Sequence, residues 1–422
     1  MAETHNRGKG ATRRTFLKRA GAAGLGAAGL ALLGWQHERR PDPITVGVLH
    51  SLSGSMAISE TALCDAALMA VEEINAAGGV LGRPVQTVVE DGASDPAEFA
   101  RLCAVLLGRD RVCSIFGCWT SACRKAMLPA LEHYNGLLWY PVQYEGNECT
   151  RNVIYTGSTP HQQISPAVQW LLHNGHRRFY LLGSDYVYPR TANRIVRRLL
   201  AEAGAQAVGE EYVPLEARDF RATTARIRAA RPDVVFNTIN GSSNRDFYRQ
   251  FYDAGLSAAS LPIMAMSVAE AEIRYIDPVS TTGHYAAWAY FESLPGEANR
   301  AFISKFKNRY GDRRVTDDPI EAAYFQVHLW AQAVRQAQST STDAIRQAAA
   351  GQALDAPEGR IHIDPVNRHT WKWLRIGQIQ SDSQFVVRYS SVQPLDPHPW
   401  LAEMNGGRGC DWASGKAVPA NA

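Results

Sequence analysis

The chain has 422 residues, 45% hydrophobic and 20% charged, with a formal net charge of +3. That composition excludes a disordered or fibrous chain, and the length predicts two or three domains with sizeable apolar cores. The charge is uneven: residues 1–40 carry eight Arg or Lys against Glu3 and Glu38, a balance of +6 that leaves −3 on the rest. A mildly acidic body excludes a basic nucleic-acid face.

The first segment, "TRRTFLK" (12–18), runs into "RAGAAGLGAAGLALLGW". A basic stretch followed by a short Gly/Ala/Leu run is the layout of an export signal. Arg13-Arg14 followed by Phe16-Leu17-Lys18 resembles a twin-arginine signal. Residues 1–40 are therefore expected to be a twin-arginine export signal and the body to be periplasmic or otherwise extracytoplasmic. The apolar run from Ala20 to Trp35 is short against the roughly 20 residues of a membrane span. Cleavage after it and an uncleaved anchor both stay open.

The body then alternates strands and helices. "ITVGVLH" (44–50) predicts a first strand, and "ALCDAALMAVEEINAAGG" an amphipathic helix stopped by Gly78-Gly79. "VQTVVED" (85–91), "VCSIFG", "GLLWYPV" and "NVIYTG" (152–157) predict four more strands, with "DPAEFARLCAVLLGRD" and "SACRKAMLPALEHYN" as helices between them. The alternation restarts with "RRFYLLGSD" (177–185), "AVGEEYVP", "DVVFNTING" (233–241), "LPIMAMS" (261–267) and "GHYAAWAYF" (283–291). Strands spaced by helices imply parallel sheets with right-handed crossovers. The fold class is therefore α/β, with two doubly wound parallel-sheet lobes. A helical segment follows, and "GRIHIDPVNRHTWKWLRIGQIQSDSQFVVRYSS" alternates in the manner of antiparallel strands. Residues 401–422 are expected to be a loose tail.

In open parallel sheets, ligands bind beyond the carboxyl ends of the strands. Those ends carry Ser51-Leu52-Ser53-Gly54, "GCWTS" (117–121), "PVQYEG" (141–146), "GSDYVY" (183–188), Asn240-Gly241-Ser242-Ser243 and Met266-Ser267. The loops are rich in aromatics and hydroxyls, with few charges. No phosphate-cradling glycine loop follows a strand, so nucleotide binding is not expected. G-x-S-x-G and His-Glu-x-x-His are absent, and the twelve histidines are scattered. Cys113, Cys118 and Cys123 are five apart, which does not match zinc spacing. No cofactor, no metal and no catalytic residue are expected. A thiol catalyst at Cys118 is the alternative, set against a buried or disulfide-linked cysteine. The seven cysteines are Cys64, Cys103, Cys113, Cys118, Cys123, Cys149 and Cys410. Cys118 and Cys149 follow adjacent predicted strands, which predicts a disulfide between them.

The stretches "GVLHSLSGSMAISE", "FGCWTSACRKAMLP", "LLWYPVQYEGNEC", "YTGSTPHQQISPAV", "GSDYVYPRTAN", "TDDPIEAAY" and "DAPEGRIHIDPVNRHTWK" together resemble the urea-binding subunit of bacterial urea ABC importers. They are similar, less closely, to the amide-sensing regulator of amidase operons. The likeness covers nearly all of residues 43–400. It implies a type I periplasmic-binding fold, two lobes joined by a three-strand hinge that close around ligand. The implied lobes are 43–158 plus 290–356, and 159–289 plus 357–400.

The resemblance implies Trp119, Thr120 and Ser121 as ligand contacts. The next loop implies Tyr140, Gln143 and Tyr144, and the other lobe Tyr186 and Tyr188. Trp288, Glu321 and Tyr324 are further candidates, with a core position on its helix face as the alternative for Tyr324. Tyr144 and Trp288 have the alternative of packing the hinge. The implied partners are urea or a short amide and the permease subunits of an ABC transporter. Neither nucleic acid nor an enzymatic reaction is implied. The membrane is met only through the export signal or by docking to the permease. Urea offers four N–H hydrogens and one carbonyl without charge, so each buried donor left unpaired would cost ~1–3 kcal/mol.

Overall fold

The computed structural model describes residues 41–419, so the predicted export signal lies outside the described residues. Residues from Pro43 onward form one unit, and everything below concerns it. Among the described residues, no helix is long and apolar enough to cross a membrane.

The first sheet holds β1 (Ile44–His50), β2 (Val85–Asp91), β3 (Ile115–Gly117), β4 (Leu138–Tyr140) and β5 (Val153–Tyr155). All are parallel, in the order β2-β1-β3-β4-β5. The interior strands read as continuous apolar runs because helices cover both faces. One face packs Leu49, Phe99, Leu106 and Ile115, and the other packs Val46, Val48, Phe116, Trp139 and Trp330.

The second sheet holds β6 (Arg178–Ser184), β7 (Gln206–Val213), β8 (Val234–Thr238), β9 (Ile263–Ala265) and β10 (Tyr285–Trp288). The small strands β11 (Ala353–Ala356), β12 (Gly359–Ile363) and β13 (Thr370–Trp371) form a separate antiparallel sheet. Then β14 (Arg375–Ile379) and β15 (Phe385–Ser390) return to the second lobe as antiparallel edge strands. The full order is β15-β14-β10-β9-β8-β6-β7. The chain passes between the lobes after β5, after β10 and after β13, which gives the three crossovers that the resemblance implied.

The structure moves one boundary. Ile361 and Ile363 of β12 are buried in the first lobe's core with Val46, Val48 and Trp139. The stretch implied as second lobe from residue 357 therefore begins in the first, and the second sheet resumes at Arg375.

The C-terminal tail is also different from the expectation. A 3-10 turn (Ala402–Asn405) leads to a hairpin of β16 (Gly409–Asp411) and β17 (Lys416–Val418). Asn147 Oδ1 accepts from the Leu401 N–H at 2.9 Å and from Asn405 Nδ2 at 2.7 Å, tying the turn to the first lobe. A disulfide joins Cys149 to Cys410, with Cα atoms 5.7 Å apart. This corrects the predicted Cys118–Cys149 pair: Cys118 is buried and free. Strand order alone placed Cys149 near Cys118, but the returning tail brings a closer partner. Peptide mapping without reduction is expected to recover Cys149 and Cys410 on linked peptides. A Cys118–Cys149 link would contradict this arrangement.

Candidate functional site

Both sheets reverse their winding direction once. In the first lobe the switch lies between β1 and β3, and in the second between β6 and β8. A crevice opens at such a point beyond the carboxyl ends of the strands. "GCWTS" leaves β3 at the first switch, and Asn240 follows β8 at the second. The two meet: Trp119 Nε1 donates to Asn240 Oδ1 at 3.1 Å.

Gly117 makes this turn possible. Its φ is +149°, and a Cβ there would stand 1.8 Å from the Leu49 carbonyl oxygen. Thr120 then caps the helix Ser121–His133, its Oγ1 accepting from the Cys123 N–H at 3.2 Å. A capping hydroxyl is a familiar helix start.

Behind the loop lies a buried charged cluster. Arg124 Nε donates to Glu148 Oε1 at 2.8 Å and Nη2 to Glu145 Oε1 at 3.2 Å, while Nη1 donates to Ser121 Oγ at 3.0 Å. Ser121 Oγ in turn donates to Glu145 Oε2 at 2.5 Å. Lys125 Nζ lies 2.7 Å from Glu148 Oε2. Burial raises the Glu148 pKa, but Arg124 and Lys125 outweigh it and hold that carboxyl at about 2. Burial likewise opposes the charged form of Arg124, yet Glu148 and Glu145 hold its pKa above the ordinary value. The guanidinium also faces the rings of Tyr140 and Tyr144, 4.8 and 4.7 Å from their centroids.

Several predicted contacts therefore have protein partners. The Thr120 and Ser121 hydroxyls are engaged by the cap and by Glu145 and Arg124. The Tyr140 hydroxyl donates to the Trp119 carbonyl. Tyr144 pairs with His369 at 2.6 Å. His369 Nδ1 contacts the Asn367 carbonyl at 2.8 Å, and a carbonyl only accepts, so Nδ1 carries the proton and Tyr144 donates to Nε2. Tyr144, Tyr155 and His369 stack at the crossovers, which is the hinge-packing alternative.

Trp288 sits in the second lobe's core and donates to the Val268 carbonyl at 2.8 Å. Tyr324 donates to Glu73 at 2.7 Å and packs against both apolar clusters of the first lobe. Glu321 accepts from the Glu358 N–H at 3.1 Å. It belongs to a buried hinge cluster in which Lys372 lies 2.8 Å from Glu358 and 3.7 Å from Asp318. Burial, then the neighbouring Glu358, push the Glu321 pKa up. Asp318 Oδ2 accepts from the Ala289 and Tyr290 N–H groups, so this cluster fastens the second crossover to the third.

The remaining candidates converge on the seam between the lobes. Gln143 Nε2 donates to Ser267 Oγ at 2.8 Å and to the Met266 carbonyl at 3.0 Å. Ser59 Oγ donates across the same seam to Glu272 Oε1 at 2.5 Å. The Tyr188 hydroxyl lies close enough to Ser267 and Gln143 to feel both, against burial that raises its pKa. Tyr186 stands beside Tyr188, ring centroids 6.4 Å apart, and its pKa is raised by burial and then by Tyr140 across the seam. Gln143 Oε1 and the Tyr188 hydroxyl are buried with no partner of hydrogen-bond geometry. Asn240, Met266 and Ser267 were not singled out as contacts from sequence. The strand-end rule named their loops, but only the facing lobe shows which of those residues touch.

Cys118 is buried beneath the loop, and burial pushes its pKa up. That environment favours the thiol over the thiolate and removes the basis for a thiol catalyst.

The hinge stack makes stability depend on pH. Burial holds His369 neutral, with its pKa down to about 3, and does the same to His284 in the second lobe. A depressed histidine contributes stability above pH ~6.5 that is lost as pH falls, about 1.4 kcal/mol per pH unit and site down to the folded pKa. Carboxyls whose pKa burial raises, Glu321 and Glu272 among them, act in the opposite sense, so the test is a difference: in guanidinium unfolding His369→Gln is expected to lose about 1.4 kcal/mol less stability per pH unit than the parent chain between pH 6 and 4. An unchanged slope in the variant would contradict the assignment.

The family described as periplasmic binding protein domain matches residues 44–406. A Geobacillus stearothermophilus protein named limonene hydroxylase is 32% identical over 119 residues, 28% of this chain and 22% of that protein. A Leu/Ile/Val-binding protein of Rhizobium johnstonii is 26% identical over 198 residues, 46% of this chain and 53% of the relative. The leucine-, isoleucine-, valine-, threonine- and alanine-binding protein of Pseudomonas aeruginosa is 23% identical over 350 residues, 80% of this chain and 90% of the relative. The chain thus spans about half or less of the first two relatives. A solved solute-binding protein of an ABC transporter from R. palustris, in complex with 4-hydroxybenzoate, is similar with a TM-score of 0.75 at 21% identity. That likeness covers 85% of this chain and 99% of the other and shows the shared fold.

Proposed function

Because the chain belongs to the periplasmic binding protein domain family, we propose that it is a non-enzymatic, extracytoplasmic solute-binding protein serving an ABC permease. Its ligand in this reading is urea or a short amide, held in the seam between the lobes. The observation that carries the ligand class is that Gln143 Oε1 and the Tyr188 hydroxyl are buried there with no partner of hydrogen-bond geometry, although the hydroxyl lies near Gln143 and Ser267. An amide oxygen and a phenol are uncharged, and they suit N–H donors and a carbonyl on a neutral ligand. Arg124, on the turn that carries Ser121, is fully engaged by Glu145, Glu148 and Ser121 and offers no guanidinium edge to a ligand carboxylate. Trp119, Tyr186 and Tyr188 supply apolar walls, as small-ligand sites do.

The relatives' names favour a second reading. Two of them are called branched-chain amino-acid-binding proteins, and the structural neighbour holds an aromatic acid. A thermal-shift panel with urea, acetamide, formamide, leucine and 4-hydroxybenzoate separates the classes. A ligand at a hundredfold excess over its Kd adds about 2.7 kcal/mol. The expected pattern is a rise with urea or an amide and none with leucine. The reverse pattern would replace the ligand class while leaving the binding-protein reading in place.

A further inference from the structure

The hinge carries a side-chain cluster that the ligand seam does not use. His161 Nε2 lies 3.1 Å from Asp396 Oδ1, and His398 Nε2 lies 3.1 Å from Asp396 Oδ2. One donor atom from each of the three residues falls within 4.8 Å of the others. The imidazole rings stand edge to face, centroids 4.8 Å apart. Two imidazoles and a carboxylate with their donor atoms this close together are a common ligand set for a first-row divalent ion.

The backbone holds these residues in place. His161 follows the first crossover, where Gln162 Nε2 donates to the Leu395 carbonyl at 2.8 Å and to the Thr370 carbonyl at 2.9 Å. The Thr159 hydroxyl donates to the Pro397 carbonyl. The Asn147 N–H donates to the Pro399 carbonyl at 2.7 Å, and the Leu395 N–H to the Lys372 carbonyl at 2.7 Å. Residues 395–399 are thus strapped across the crossovers on both sides of Asp396. His398 itself adopts the left-handed region at φ +33°, which turns it back beside Asp396. A non-glycine residue in that region persists only where its surroundings hold it. The side chains remain 45%, 37% and 65% exposed for His161, Asp396 and His398, so an ion has an open path in.

We propose that His161, Asp396 and His398 form a binding site for a divalent transition ion such as Zn²⁺ that staples the C-terminal strap to the first crossover. Each histidine coordinates through Nε2, with its proton on Nδ1, and the carboxylate supplies the third ligand. Water completes the coordination sphere. The site is independent of the ligand in the seam. Its sequence signal is weak because His161 lies far along the chain from the Asp396-Pro397-His398 segment that supplies the other two ligands.

Calorimetric titration of the full chain with ZnCl₂ and NiCl₂, in chelator-treated buffer at neutral pH, tests it. The expected result is one ion per chain, reversed by EDTA and accompanied by a higher thermal midpoint. His161→Gln and His398→Gln are each expected to weaken that event about tenfold or more. These exposed substitutions should leave the metal-free thermal midpoint unchanged, which separates loss of a ligand from loss of the fold. No saturable binding by the parent chain, or equal binding by the His161→Gln/His398→Gln double variant, would overturn the proposal.

Discussion

Arg124→Met is expected to destabilise the fold by about 3–5 kcal/mol, because it leaves Glu145 and Glu148 buried without their main partner. Glu145 and Glu148 are only 2% and 5% exposed, and half-exposed Lys125 reaches them from one side only. Methionine replaces most of the lost volume, so the effect reports the stranded charges rather than a cavity. Adding Glu148→Gln to the variant is expected to restore part of the loss by removing one of those charges. Arg124→Lys is expected to fall between, since an ammonium keeps the charge but cannot bond Glu145, Glu148 and Ser121 together. Denaturant midpoints in guanidinium read all three. A loss below about 1 kcal/mol in Arg124→Met would contradict the buried-cluster account.

Gly117→Ala is the second large effect. Gly117 pairs with Leu49 where β3 meets β1, at the first lobe's switch point. The added Cβ would stand 1.8 Å from the Leu49 carbonyl, and rigid backbone cannot yield as a flexible side chain can. The pairing must open, which moves Trp119 off Asn240. A loss of about 4 kcal/mol or more is expected, together with any ligand response. Gly204→Ala is the control. Gly204 also has positive φ, but open space surrounds its missing Cβ, so the cost there is only about 1–2 kcal/mol of backbone strain. Equal losses at the two glycines would show that the close approach at Gly117 is unimportant.

The strands were legible because hydrophobic runs and loop residues fall in register with the alternating architecture. "ITVGVLH" and "VQTVVED" match β1 and β2 residue for residue. Strand ends followed from that, and with them the loops that meet at the seam. What individual polar side chains do there was not legible. Ser121 and Thr120 read as ligand-facing hydroxyls, but whether a hydroxyl faces a ligand or a neighbour depends on groups 24 residues away, as with Glu145, or on the local cap. Tyr144 and Glu321 sit near the crossovers, where aromatic stacking and a buried ion cluster take up their polar atoms. The Cys149–Cys410 bond was hidden because strand order says nothing about where a long tail returns. The boundary near residue 357 shifted for a similar reason: a small antiparallel sheet can pack on either lobe, and Ile361 and Ile363 decide it by burial in the first.

We propose that a neutral, amide-like solute occupies the seam at Gln143 and Tyr188. Isothermal titration of the full chain with urea, acetamide, leucine and 4-hydroxybenzoate tests it most directly, with Gln143→Leu and Tyr188→Phe measured alongside. Saturable binding of urea or acetamide that both substitutions weaken is expected, with no heat from leucine or 4-hydroxybenzoate. Saturable binding of leucine or 4-hydroxybenzoate with none of urea or acetamide would contradict it.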